Sequence, residues 1–313
     1  MEVIKISPRG YCMGVISALN TVQEATNDKS LPRPIYVLGM IVHNEHITNA
    51  IADLGVITLD NKKKTRLELL DEIDYGTVIF TAHGISPAVK EKALAKGLTC
   101  IDASCKDVIK THQLMKDYIA SGYEIIYIGK KGHPETEGSL GIDCHHIHLI
   151  STPLDLETLT LANPQIMITN QTTMSLWDVH SLAKEIQKKF PQAKFIKEIC
   201  NATQVRQEAV ASKAKTADLT LVVGDPHSNN TARLAQISEE LAHVPSRQVA
   251  SLEELDLSWL VGVNTIAVTS GASTPTAITK EVIDFLEQYQ EQDPKTWDTT
   301  SRISVDKILF KRK

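Results

Sequence analysis

Three cysteines carry the first chemical signal in this sequence. Cys12, Cys105 and Cys200 are separated by 93 and 95 residues. Each follows a short apolar run (EVIKIS, LTCIDAS, KFIKEI) and precedes a helix-like pattern (GVISALNTVQEA, DVIKTHQLMKDYI, ATQVRQEAVASKA). A lone cysteine is ordinarily a small buried hydrophobe. Three in the same phase of the chain point instead to a duplicated supersecondary unit.

The agreement extends beyond sulfur. IYVLG leads to His43, VIFTA to His83, EIIYIG to His133-Pro134-Glu135 and QIMIT to Asn170-Gln171-Thr172-Thr173. LTLVVG leads to Ser228-Asn229-Asn230, and TIAVT to Gly271-Ala272-Ser273-Thr274. Apolar strands alternating with helices describe parallel α/β units. Such units place ligands beyond the carboxyl ends of their strands. The expected fold is therefore α/β, with three similar domains in a pseudo-threefold arrangement whose strand ends face a common central cavity. The boundaries read from the repeat are 1–98, 99–193 and 194–286, followed by a C-terminal arm over 287–313.

Three thiolates at one centre select soft metals: zinc, copper(I) or an iron–sulfur cluster. A structural zinc site ordinarily takes four ligands, often from close CxxC pairs, and this sequence has no CxxC. A 4Fe–4S cluster with one iron not bound by cysteine fits three ligands, and a catalytic zinc with three cysteines and water is the competing reading. Cys100 reads as a packed strand residue leading into Cys105. Cys144, in DCHHIH, reads as a loop and strand edge.

His43, His83, Ser228, Asn230 and Ser273 are suitable donors for phosphate oxygens, and together they outline a mostly neutral anion pocket. Singly, each is explained as a satisfied core residue or a helix cap. GKKGHPETEG lacks the P-loop spacing, and no GxGxxG marks a dinucleotide site. Electrons for a redox reaction would then come from a partner protein. Glu135, enclosed beside an anion, would hold a proton and serve as a general acid, with His133 beside it. Glu137 is the exposed or capping neighbour. Thr172 and Thr173 would orient a substrate hydroxyl or cap a helix.

Composition excludes several classes. The chain has 313 residues, 42% hydrophobic but only 5% aromatic, which suits an aliphatic soluble core. Lys+Arg 33 against Asp+Glu 38 leaves a net charge of −5 and no basic field for nucleic acid. The basic end KILFKRK reads as a solvated tail. No apolar run reaches the ~18 residues of a membrane span, and MEVIKIS lacks the zones of a signal peptide. The expected location is cytoplasmic, where five cysteines serve as ligands, catalytic groups or core fillers rather than disulfides.

Taken in order, YCMGV, IVHNEHI, TAHGIS, DASC, GHPETEG, NQTTMS, EICNATQVRQEAV, GDPHSNNTARL and GAST resemble the 4-hydroxy-3-methylbut-2-enyl diphosphate reductase family, iron–sulfur enzymes of the LytB type. The resemblance runs from Val3 to Ile283. It implies three α/β domains around a cavity in which Cys12, Cys105 and Cys200 hold a 4Fe–4S cluster. It places His43, His83, His133, Ser228, Asn230 and Ser273 around the substrate diphosphate, with Asn229 in the same segment. Thr172 would sit near the allylic hydroxyl, Glu135 on the proton pathway and His133 at both tasks. The implied reaction is reductive dehydroxylation to isopentenyl and dimethylallyl diphosphate, the last step of the non-mevalonate isoprenoid pathway. Reduced ferredoxin or flavodoxin would be the electron donor. Met13, Lys106 and Asn201 depart from the commonest family pattern without removing a ligand.

Overall fold

The computed structural model describes residues 1–61 and 63–309. Residues 310–313 of the basic end, and with them part of the expected solvated tail, lie outside the described residues.

The chain begins with β1 (Glu2–Lys5) and α1 (Met13–Asn27), then β2 (Ile35–Leu38), α2 (Glu45–Ala52), β3 (Val56–Leu59) and α3 (Arg66–Leu69). It continues through β4 (Thr77–Phe80), α4 (Pro87–Ala95), β5 (Thr99–Asp102) and α5 (Lys106–Ala120). Next come β6 (Glu124–Ile128), α6 (Pro134–Leu140), β7 (Ile147–Ile150), α7 (Pro153–Thr158), β8 (Ile166–Asn170) and α8 (Leu176–Lys189). The last stretch holds β9 (Lys194–Phe195), α9 (Asn201–Lys213), β10 (Leu219–Val223), α10 (Asn229–Ile237), β11 (Ser246–Val249), β12 (Thr265–Ser270), α11 (Thr276–Gln288) and α12 (Val305–Ile308).

These strands form three four-stranded sheets, ordered β3-β2-β4-β5, β7-β6-β8-β9 and β11-β10-β12-β1. Every pairing is parallel. The three orders are one pattern: an edge strand, two inner strands, and a strand that leads to a cysteine. In each, the chain reverses its direction of winding between the two inner strands, the switch point where α/β sheets bind ligands.

The sheets cut the chain differently from the sequence repeat. β5, which leads to Cys105, completes the sheet of β2–β4, and β9, which leads to Cys200, completes that of β6–β8. β1 closes the third sheet by pairing with β12, Glu2 opposite Thr265. The boundaries at 98/99 and 193/194 thus fall one strand early with respect to the sheets. A repeat counted from cysteine to cysteine assigns β5 and β9 to the helices after them, whereas their hydrogen bonds run to the strands before them.

Two compact units divide the chain. One comprises Met1–Met13, His43–Ala50 and Asn201–Lys313 and holds the third sheet. The other comprises Gly14–Val42 and Ile51–Cys200 and holds the first two. The inner strands are buried throughout: TVIF of β4, IMITN of β8 and LTLVV of β10. Uninterrupted burial is what helices on both faces of a parallel sheet produce. Val78 and Phe80 of β4 pack with Val89 and Ala93 of α4, while Leu221 and Val223 of β10 pack with Ile278 and Val282 of α11. This rigid sheet material leaves the polar residues to the loops at the strand ends. After α11 the chain turns back on its own unit: the amide of Arg302 and the hydroxyl of Ser301 bond to Glu281, and the Tyr11 hydroxyl donates to the Ile308 carbonyl.

Candidate active site

The candidate residues sit at the carboxyl ends of strands, on the turns that follow, or in the first turn of the helices after them. The three cysteines are seated alike. The Cys105 amide donates to the Ala82 carbonyl beyond β4 (2.9 Å), that of Cys200 to Thr172 beyond β8 (3.1 Å), and that of Cys12 to Ala272 beyond β12 (3.0 Å). A helix begins directly after each one, at Lys106, Asn201 and Met13. A helix start favours negative charge, which suits a thiolate ligand. No cysteine among the described residues is in a disulfide. Cys100 lies within β5 against the first core, its thiol pushed up in pKa by burial, and Cys144 is exposed.

In the unit holding the first two sheets, His133 caps α6. Its Nδ1 accepts from the Glu135 amide at 3.1 Å, and Pro134 supplies the first helical position. That cap turns Glu135 inward, where it is 2% exposed. Thr172 holds the carboxylate at both oxygens, its amide donating to Oε1 (2.7 Å) and its hydroxyl to Oε2 (3.1 Å). Burial raises the Glu135 pKa to about 7, the two Thr172 bonds oppose it, and Asp107 adds to it. Desolvation wins, so a carboxyl that would be ionised in water carries a proton about half the time at neutral pH.

Thr172 is therefore a joint between two candidates: its side chain and amide meet Glu135, and its carbonyl meets Cys200. Thr173 accepts from the Gln171 side chain (2.9 Å). His83 and His133 lie edge to face, ring centroids 5.5 Å apart. The exposed Glu137 accepts from the Arg66 amide (3.2 Å), the capping part expected of it.

In the unit holding the third sheet, Ser228 is the N-cap of α10, its hydroxyl accepting from the Thr231 amide. The Ser273 hydroxyl donates to the His43 carbonyl (3.0 Å) and lies 3.4 Å from that of Ser228. Asn230 is bound at both ends of its amide: Oδ1 accepts from Ala272 N–H (3.0 Å) and Nδ2 donates to Thr203 (3.3 Å). It thereby steadies the loop that seats Cys12. Asn229, buried, opens α10.

Several residues that shape this site were given no role of their own in the sequence analysis. Asn170 and Gln171 brace the turn before Thr172: Asn170 accepts from the Glu198 amide, and Gln171 accepts from the Lys130 amide and the Thr136 hydroxyl. Asp225 accepts from the amides of Glu45 and His227. Arg66, 4% exposed, binds the turn around His83. Polar residues at a strand end were the available signal for Asn170, Gln171 and Asp225. Nothing local marks Arg66.

The family model described as LytB protein matches residues 3–287. The chain belongs to the LytB family. A LytB relative named 4-hydroxy-3-methylbut-2-enyl diphosphate reductase, from Geobacillus thermodenitrificans (strain NG80-2), is 58% identical over 313 residues, covering 100% of this chain and 98% of that protein. One of the same name from Bacillus mycoides (strain KBAB4) is 59% identical over 309 residues, 99% of this chain and 97% of the relative. The solved E-1-hydroxy-2-methyl-but-2-enyl-4-diphosphate reductase of Plasmodium falciparum has a TM-score of 0.85 at 32% identity, covering 94% of this chain and 89% of that one. A second solved structure, of an (E)-4-hydroxy-3-methyl-but-2-enyl diphosphate reductase described as the terminal enzyme of the non-mevalonate pathway, has a TM-score of 0.65 at 31% identity. This LytB chain thus shares its fold with both.

Proposed function

We propose that this chain is a 4-hydroxy-3-methylbut-2-enyl diphosphate reductase, converting its hydroxyallylic substrate to isopentenyl and dimethylallyl diphosphate in the last step of the non-mevalonate pathway. The observation that carries the chemistry is the enclosed Glu135, whose pKa near 7 lets it give up a proton at physiological pH. Replacing a hydroxyl by hydrogen needs two electrons and protons, and the hydroxyl leaves as water. Glu135 donates toward that oxygen while Thr172 holds the carboxyl in place. His43, His83, His133, Ser228, Asn229, Asn230 and Ser273 provide N–H and O–H groups for the diphosphate, and Thr173 lines the turn beside Thr172.

The donor set supports a 4Fe–4S cluster: three cysteines with matching amide bonds and helix starts, and one iron left without a cysteine. Cys12, Cys105 and Cys200 would hold it. When bound, such a cluster supplies electrons and a Lewis-acidic iron for an oxygen ligand. The sequence carries no nicotinamide fingerprint, which favours reduced ferredoxin or flavodoxin as donor. A cytoplasmic setting suits cysteines that are not in disulfides, and no helix among the described residues is long and apolar enough to cross a membrane.

The test is anaerobic purification with iron and acid-labile sulfide counted per chain, followed by turnover with the hydroxyallylic diphosphate and a reduced viologen. Four irons, sulfide and both isoprenoid products are expected. Stoichiometric zinc without sulfide after reconstitution, together with no reduction, would overturn the assignment.

A further inference from the structure

Arg206 is a buried cation beside the seat of Cys12. It lies in α9 and is 4% exposed. Helical side chains lean toward the helix N-terminus, so Arg206 reaches back over the first turn of its own helix. One guanidinium nitrogen donates to the Ala202 carbonyl at 2.8 Å, and the other donates to the Gly10 carbonyl at 2.8 Å. Ala202 stands two residues after Cys200, and Gly10 two residues before Cys12. A rigid planar fork lets one side chain hold two carbonyls at once.

Gly10 is thereby held at both of its polar groups, its N–H by the Ser270 hydroxyl of β12 (2.7 Å) and its carbonyl by Arg206. A second line starts from the same turn of α9. Thr203 Oγ1 accepts from Asn230 Nδ2 (3.3 Å), and Asn230 Oδ1 accepts from the Ala272 amide (3.0 Å). The Ala272 carbonyl in turn accepts from the Cys12 amide (3.0 Å). The first turn of α9 thus grips the Cys12 turn at two points, and every residue in both lines belongs to the unit that holds the third sheet. None of these bonds uses a thiol or a metal.

We propose that Arg206 is a positioning residue that forms the seat of Cys12 before any metal arrives, by fixing the Gly10 carbonyl against the first turn of α9. That Cys12 then serves as a cluster ligand rests on the reductase reading. The bridge between two carbonyls carries the effect, rather than the positive charge alone. A seat formed in advance removes the entropy of ordering this turn from the cost of binding the metal.

The experiment uses the full-length apoprotein, reduced and metal-free, labelled with ¹⁵N-cysteine so that only the five cysteine amides are seen. Their hydrogen exchange is timed in wild type, Arg206→Met, Arg206→Lys and Lys213→Met, the last removing an exposed charge from the same helix. In wild type the Cys12 amide should exchange at least roughly 100-fold more slowly than in an unfolded chain. Losing hydrogen bonds to a charged group should speed that exchange about tenfold in Arg206→Met and roughly fivefold in Arg206→Lys, which keeps the charge but not the fork. The Cys105 amide, bonded to Ala82, reports general loosening of the fold and should stay within about twofold of wild type in all variants. Lys213→Met should match wild type throughout. An unprotected Cys12 amide in the wild-type apoprotein would overturn the proposal. So would equal acceleration at Cys12 and Cys105, or a wild-type rate in Arg206→Lys. The wild-type and Arg206→Lys measurements keep the test decisive if Arg206→Met does not fold. Zinc without sulfide in the loaded protein would remove the reductase reading, while the exchange rates, taken without metal, would still decide the seat.

Discussion

At Glu135, burial and hydrogen bonding pull in opposite directions, and the outcome near pH 7 determines what the residue can do. Glu135→Gln keeps an acceptor for the Thr172 amide but has no proton to release. Its turnover should fall by roughly 10²- to 10⁴-fold, the usual range for a positioned acid, with diphosphate affinity unchanged, as steady-state kinetics and titration would record. The same group makes stability depend on pH. Its folded pKa is raised from 4.5 to about 7. Its contribution is therefore fully present below pH 4.5 and lost as pH rises through 7, up to roughly 3 kcal/mol. Relative to wild type, Glu135→Gln should gain thermal stability at pH 8–9 and show no gain at pH 4–5. Melting both proteins at the two ends of that range tests the sign. Glu135 and Thr172 were legible in the sequence because each follows an apolar strand. Arg66 was not. It sits in NKKKTRLELLDE, whose charge reads as a solvated face, and only tertiary packing shows which of its cations is buried.

At the scale of elements, the seat of Cys12 depends on a backbone shape as much as on a side chain. Gly10 has φ +77°, its amide donates to the Ser270 hydroxyl (2.7 Å), and an added Cβ would meet Thr276 Oγ1 at 2.5 Å. Gly10→Ala should lower Tm by several degrees, since the left-handed conformation alone costs an L-residue about 1–2 kcal/mol. It should also reduce the iron retained through Cys12, two residues on. Gly55→Ala, at φ +78° with nothing within 4 Å, is the control: it bears the backbone cost without the collision and leaves iron content alone. The elements themselves were unequally legible. Strands buried on both faces, such as VIFT and LTLVV, stand out as apolar runs. The outer strands β3, β7 and β11 did not, because they are short and only half buried, with Thr58, His148, Arg247 and Gln248 among their residues. The repeat in the sequence was visible through its cysteines, but sheet membership follows hydrogen bonds between strands far apart in the chain.

Across the whole molecule, five cysteines divide into two kinds, and bound metal should distinguish them. Serine at Cys12, Cys105 or Cys200 should each leave less than half the wild-type iron and sulfide. Cys100→Ser and Cys144→Ser should leave both unchanged, since one thiol is packed in β5 and the other faces solvent. Counting metal in all five variants checks this division. Agreement between the ends of the chain has a different kind of consequence. β1 leaves the ribosome well before its strand partner: β12 lies some 260 residues later, roughly 13–50 s away at ordinary rates of synthesis. Through that interval β1 has no sheet to join, and the loop from Gly10 to Cys12 has neither Ser270 nor Ala272 to bind. Cys12 is therefore seated only after Ala272 has been made. On the proposed cluster assignment, loading of the metal centre would come after that point, and a nascent chain stalled before Thr265 would be unable to keep one.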